Sequence, residues 1–124
     1  MIEGLDHVQL AMPRGGEDRA RAYFGGMLGL QELEKPASLA RRGGVWFLLP
    51  DGRQIHLGVE EPFRPSEKAH PAFVCTTLDD LGLRLGERGH PVRWDDELAP
   101  RRRFYSEDPF GNRLEFLEPV SQWA

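Results

Sequence analysis

Three of the four histidines in this chain, with one glutamate, stand at positions that recur between its two halves. Residues Pro50-Asp51-Gly52-Arg53-Gln54-Ile55-His56-Leu57 align without a gap on Pro109 to Phe116 at an offset of 59, which sets His56 on Glu115 and Trp46 on Tyr105. His7 and His70 open the first strand candidate of each half, 63 residues apart. Three imidazoles and one carboxylate converging on a point would suit a divalent ion, Fe, Mn, Ni, Co or Zn, with a position left for water or substrate. One strand histidine is ordinarily a surface or satisfied core residue; the joint placement of His7, His56, His70 and Glu115 is what argues for metal. His90 lies in a helix-to-strand turn without a repeat partner and reads as surface.

The elements that must position these side chains follow from the hydrophobic spacing. Leu5 to Met12 alternates, with Val8, Leu10 and Met12 on one face and His7, Gln9 and Ala11 on the other, as in a half-buried strand. Glu17 to Leu28 reads as a helix with Ala20, Phe24, Met27 and Leu28 inward, frayed around Gly25 and Gly26 and stopped at Gly29. Gln31 to Glu34 and Val45 to Leu49 are strand candidates, and residues 36–44 between them read as a loop or a further short strand. Pro50-Asp51-Gly52 is a hairpin turn returning into Gln54 to Val59. Residues 61–68 suit a connector. The pattern then restarts: a strand from His70 to Thr76, a helix capped by Thr77 with Leu78, Leu81 and Leu85 inward, a stop at Gly89, and strands at Val92 to Trp94, at Arg103 to Ser106 and after Gly111. The offsets drift only from 63 through 60 to 59, as expected of a duplication, so one domain of two modules, about 1–60 and 69–124, is expected.

Composition narrows the partners. With 124 residues the chain can hold one core but not two independent ones. A net charge of −4 gives no electrostatic reason for a nucleic-acid or anionic-membrane partner. A small-molecule substrate is expected instead. The single cysteine, Cys75, forbids an internal disulfide and fits a reducing compartment as a small buried strand residue. No apolar run is long enough to span a membrane and no signal peptide is evident, so the expected location is the cytoplasm.

Leu5-Asp6-His7-Val8, Met27-Leu28-Gly29-Leu30, Gln54-Ile55-His56-Leu57, the restart at His70 and Asp108-Pro109-Phe110-Gly111-Asn112-Arg113-Leu114-Glu115-Phe116 together resemble the vicinal oxygen chelate superfamily, the glyoxalase, bleomycin-resistance and extradiol-dioxygenase group. The resemblance covers essentially the whole chain. It implies an α+β fold of two βαβββ modules forming an incomplete, U-shaped barrel around the metal. His7, His70 and Glu115 match the positions of the group's facial triad, and His56 matches a fourth position that is often Glu or Gln in its isomerases and epimerases. In such enzymes the metal holds two neighbouring oxygens and stabilises an enediolate or similar anion. His56 could be a ligand or a general base. Ala11 and Glu60 stand where simple glutathione-dependent glyoxalases carry Arg and Asn, and Arg101-Arg102-Arg103 stands where fosfomycin-modifying relatives carry a serine-containing loop.

Gln9, Gln54 and Arg113 share strand parity with the ligand candidates and are expected to contact substrate or support the ligands. Arg103 could reach a carboxylate or phosphate of the substrate, and Tyr105 could offer its hydroxyl; Trp46, Phe47 and Phe104 read mainly as core. The first functional reading is a divalent-metal-dependent enzyme, with His56 and Glu115 catalytic, acting on a small oxygenated, possibly anionic molecule. Its reaction would be that of a glyoxalase- or epimerase-like lyase or isomerase, or of an extradiol-type dioxygenase. The second is a metal-free binding protein of the bleomycin-resistance kind. A homodimer is expected under either, with His7 and His56 meeting His70 and Glu115 within one chain or across two.

Overall fold

In the computed structural model, which describes residues 1–120, the contacts divide the chain into two compact units, Met1–Pro65 and a second that begins at Ser66. Each unit sets one main helical segment against one four-stranded mixed sheet, and the first adds a short second helix.

The first unit runs β1 (His7–Met12), α1 (Glu17–Ala20, continued by the wider helical turns of Arg21–Met27), β2 (Gln31–Leu33), α2 (Ala37–Ala40), β3 (Val45–Leu48) and β4 (Gln54–Val59). The second runs β5 (Ala72–Val74), α3 (Leu78–Glu87), β6 (Arg93–Asp95), β7 (Arg103–Glu107) and β8 (Arg113–Leu117). The strand orders are β1-β4-β3-β2 and β5-β8-β7-β6, the same path twice, and neither sheet closes on itself. The one parallel pairing in each sheet joins its first and last strands.

Register explains why the repeated residues are equivalent. His56 lies beside Gln9 in the first parallel pair, and Glu115 lies beside Ala72 in the second. His7 and His70 each stand two residues before those partners, on the same face as His56 and Glu115 respectively. The turns match too: Gly52 and Gly111, 59 apart, both take the left-handed backbone that their tight turns need, with φ of 91° and 94°.

The opposite faces carry the apolar side chains. Leu10, Met12, Val45, Phe47, Ile55 and Leu57 are buried in the first unit with Ala20, Tyr23, Phe24 and Met27 of the helix. In the second unit Phe104, Leu114 and Phe116 are buried, as are Leu78, Leu81 and Leu85 of α3.

Three local expectations are corrected. The first helix does not fray at Gly25 and Gly26; it widens, with Leu28 N–H donating to the Tyr23 carbonyl at 2.9 Å, five residues back. The extra residue per turn brings Tyr23 into the core at 2% exposure and leaves Leu28 only half-buried. Residues 36–44 contain the short helix α2 in place of a strand or simple loop. Thr77 stands at the N-cap of α3, but its side chain makes no capping bond.

The turn into β8 sets the height of Glu115. Asp108, 3% exposed, accepts from the backbone N–H groups of Phe110 and Asn112 at 2.9 Å each and from the Asn112 amide at 2.8 Å. Asn112 Oδ1 in turn accepts from Ser66 N–H at 3.0 Å. Burial raises the Asp108 carboxyl above its ordinary range, and these bonds pull the other way. Asp108→Ala leaves three donors without their acceptor, and the expected loss is about 2–4 kcal/mol in denaturant unfolding. Asp51→Ala, which removes an exposed turn carboxylate bonded to Arg53 N–H, should cost under about 1 kcal/mol; equal costs would refute this account of the β8 turn.

Candidate functional site

The four ligand candidates fall into two pairs, one in each unit. In the first unit His56 is inserted between two aromatic rings. The His7 ring stacks on it at 4.1 Å between centroids and 13° between planes, and the Trp46 indole at 4.0 Å and 5°. The sheet produces this sandwich directly, because Trp46 is the antiparallel register partner of His56 while β1 flanks it on the other side. His56 is 4% exposed.

Hydrogen bonds fix the imidazole tautomers. His7 Nδ1 lies 2.9 Å from Asp6 Oδ2; a carboxylate can only accept, so Nδ1 donates and the lone pair stays on Nε2. His56 Nε2 lies 2.8 Å from Gln54 Oε1, so Nε2 donates and the lone pair lies on Nδ1. Binding a cation at Nε2 of His56 would therefore require the Gln54 amide to turn away. Gln9 lies on the same face, where its amide would be 2.6 Å from a Cβ added at Gly58. The missing side chain of Gly58 makes room for it.

In the second unit the pair is an imidazole and a carboxylate. His70 Nδ1 donates to the Lys68 carbonyl at 2.9 Å, and His70 Nε2 faces Glu115 Oε1 at 2.9 Å. The carbonyl already takes the Nδ1 hydrogen, so two acceptor atoms face one another unless a positive charge, a proton or a metal ion, stands between them. Two donors each about 2.05 Å from one cation would be separated by about 2.9 Å at the angle of about 90° of an octahedral site. An imidazole tied by its other nitrogen to a backbone carbonyl or carboxylate is also the usual support of a ligating histidine. The donor chemistry of His70 and Glu115 thus fits a divalent ion.

Glu115 is 6% exposed and receives a second contact from Arg103 Nη1, 3.3 Å from Oε2. Tyr105 faces Glu115 across β7 and β8. Its ring meets His70 edge-on at 5.4 Å and carries the Arg113 guanidinium at 4.2 Å and that of Arg103 at 5.1 Å. Arg113 Nη1 makes a long 3.5 Å bond to the Glu67 carbonyl. The other members of the arginine run point elsewhere: Arg102 forms a two-pronged pair with Asp79 at 2.8 Å, and Arg101 Nε donates to the Glu118 carbonyl at 2.8 Å.

Among the described residues no three His, Cys, Asp or Glu side chains gather as a metal-holding group; each unit assembles two of the four donors. Sequence reasoning assigned Trp46 to packing and missed its stack on His56, although its alignment with Tyr105 and its place opposite the hairpin carried the signal. It also missed Asp6, the Lys68 carbonyl and Asp95, which support the donors through bonds that no spacing rule encodes.

Burial, and then the neighbouring His7, push the pKa of His56 from 6.5 down to about 4. In the metal-free protein the unfolded chain takes up this proton below about pH 6.5, whereas the folded chain waits until about pH 4. Stability is therefore lost as pH falls through that window, on the order of 3 kcal/mol for this one residue. Guanidinium unfolding from pH 7 to pH 4 should show a slope that His56→Gln removes; an identical slope in the variant would show that His56 is not the group responsible.

No protein-family model and no curated protein matches the chain. Solved structures do. A glyoxalase family protein from Bacillus anthracis is 44% identical, with a TM-score of 0.90 over 97% of this chain and 98% of that one. A glyoxalase/dioxygenase from Nostoc punctiforme is 26% identical, with a TM-score of 0.76 over 94% of this chain and 92% of that one. The genomically encoded fosfomycin resistance protein of Listeria monocytogenes, at 17% identity and a TM-score of 0.78 over 98% of both chains, shares the fold. Two βαβββ modules with one strand order and this degree of likeness agree: the chain belongs to the glyoxalase family of the vicinal oxygen chelate superfamily.

Proposed function

We propose that the protein is a divalent-metal-dependent enzyme of this superfamily that acts on a small oxygenated, anionic substrate. The observation that carries the reading is the second-unit pair: His70 Nε2 and Glu115 Oε1 stand 2.9 Å apart with the other imidazole nitrogen already bonded to a carbonyl. His7, His70 and Glu115 would hold the ion, with His56 as a fourth donor once Gln54 releases it. The bound ion would supply Lewis-acid stabilisation of charge developing on two neighbouring substrate oxygens.

The chain's own residues do the rest. His56, held neutral near pH 7 by burial, would serve as a ligand, or as a proton acceptor at Nδ1, the nitrogen that Gln54 leaves with its lone pair. Gln54 holds its ring direction and Trp46 holds its plane. Arg113, with a single long bond to a carbonyl, is the cation on the Glu115 face best supplied with donors for a substrate carboxylate or phosphate. The reaction class stays with the family's range of isomerisation, epimerisation, lyase chemistry and ring-opening dioxygenation.

We also propose a homodimer in which the donor pair of one chain can be completed by that of another. Two donors from each unit make a set of four only when the pairs meet, and the expected site has one ion per complete set.

Protein purified without chelator should carry about one Fe, Mn, Ni, Co or Zn per chain by elemental analysis, and Glu115→Ala should lose it; wild-type protein that ignores all five metals would overturn the reading. Mixing His7→Ala with Glu115→Ala chains then separates the two ways of completing the set. If the pairs meet across chains, a mixed dimer keeps one intact site and regains metal to about half occupancy. If they meet within a chain, no site in the mixture is intact and none is regained.

A further inference from the structure

Each guanidinium nitrogen of Arg103 already has a carboxylate partner. Its Nε and Nη2 both lie on Asp95 Oδ2, at 2.7 and 2.6 Å, its Nη1 points at Glu115 Oε2 at 3.3 Å, and the guanidinium lies against the Tyr105 ring. The sheet builds this arrangement. Asp95 is the register partner of Arg103 across β6 and β7, and Tyr105, two residues on along the same face, is the register partner of Glu115. Arg103 is therefore the diagonal cross-strand neighbour of Glu115, within reach for a long side chain.

The bonds continue beyond Glu115. Its other oxygen, Oε1, faces His70 Nε2 at 2.9 Å, and His70 Nδ1 is tied to the Lys68 carbonyl at 2.9 Å. One connected path thus runs from Asp95 through Arg103, Glu115 and His70 to the backbone. We infer that Arg103 is a positioning residue, clamped by Asp95, that holds Glu115 with Oε1 aimed at the cation position shared with His70; it is not a substrate anchor. This inference rests on the metal reading above.

Two arguments support it. A glutamate has three side-chain torsions, so a carboxylate at this depth can present either oxygen unless the second is held. The planar fork of arginine supplies that hold, because its donors are fixed relative to one another. Charge gives the second argument. An unpaired guanidinium beside Glu115 would neutralise the carboxylate and weaken its pull on a cation. Asp95 offsets that charge, so Arg103 directs Glu115 while leaving its negative charge available to the site.

The test is binding of Zn(II), by competition with a chromophoric chelator, and the visible absorption bands of bound Co(II), on the full chain and its variants. Arg103→Gln is expected to weaken Zn(II) about 10- to 100-fold, the range usual for supports of ligating residues, and to shift the Co(II) bands as the carboxylate changes its coordination. Asp95→Asn, which keeps the side-chain shape, should weaken Zn(II) by a smaller factor in the same direction. Arg102→Gln breaks an ion pair of similar length with Asp79 that lies off this path, and it should leave both readouts within about two-fold of wild type.

If Arg103→Gln misfolds by circular dichroism, the Asp95→Asn result decides. Wild-type binding retained by both Arg103→Gln and Asp95→Asn, with unchanged Co(II) bands, would overturn the positioning role alone. A wild-type chain that binds neither ion would overturn the metal reading and this inference with it.

Discussion

Glu115 is a carboxyl group withdrawn almost wholly from water, and its neighbours in the second unit are arranged around its two oxygens. An isolated ionised carboxylate in an apolar setting is too costly to persist, and an ion pair offsets that cost only with good geometry and hydrogen bonds to spare. Glu115 has His70 on one oxygen and Arg103 on the other. Each of those is held by a third group, the Lys68 carbonyl and Asp95. The contacts that make the burial tolerable are also the ones that aim the carboxylate. Removing Glu115 would leave Arg103 Nη1 and His70 Nε2 without the partner they share, which is why its position couples stability and chemistry.

The first unit solves the corresponding problem without charge. At the position equivalent to Glu115 it carries His56, and the neighbours are two flat rings in place of ions. Stacking between His7 and Trp46 removes water from the faces of the imidazole and leaves only its edges polar. That environment disfavours the protonated form, and His7 adds to the effect. The same strand order therefore yields a pair of stacked imidazoles in one half and an imidazole–carboxylate pair in the other. The difference is set by which side chains lie beside the common position, Gln9 and Trp46 against Ala72 and Tyr105.

Much of this architecture was legible in the residues because it depends on local periodicity. Alternation along β1 and β4 assigned His7, Gln9, Gln54 and His56 to one face, and the turn glycines Gly52 and Gly111 located both hairpins. The repeat did more than either, since aligning the halves identified Glu115 as the counterpart of His56 before any register was known. The wide turns of Arg21–Met27 were not legible, because two glycines signal weak helix and say nothing of how the chain relieves that weakness. Nor were the partners of Arg103. A run of three arginines beside three acids offers many pairings, and only the lateral register of β6 on β7 selects Asp95 for Arg103, while Asp79 on α3 takes Arg102.

The asymmetry between the halves bears on how a duplicated fold becomes a chemical site. At the repeated hairpin position the first half carries a ring-packed histidine, held below its ordinary pKa by burial, and the second a buried carboxylate with a partner on each oxygen, so the two halves present different donors. The cost is a histidine that binds protons poorly and a Gln54 amide that competes for its nitrogen. Arg103 and Asp95 then appear as the complementary specialisation of the other half, with their opposite charges offset against each other and their geometry directed at one carboxylate. The two units thus differ by environment more than by residue type: the first shields its imidazole by stacking, and the second gives its carboxylate a partner on each oxygen.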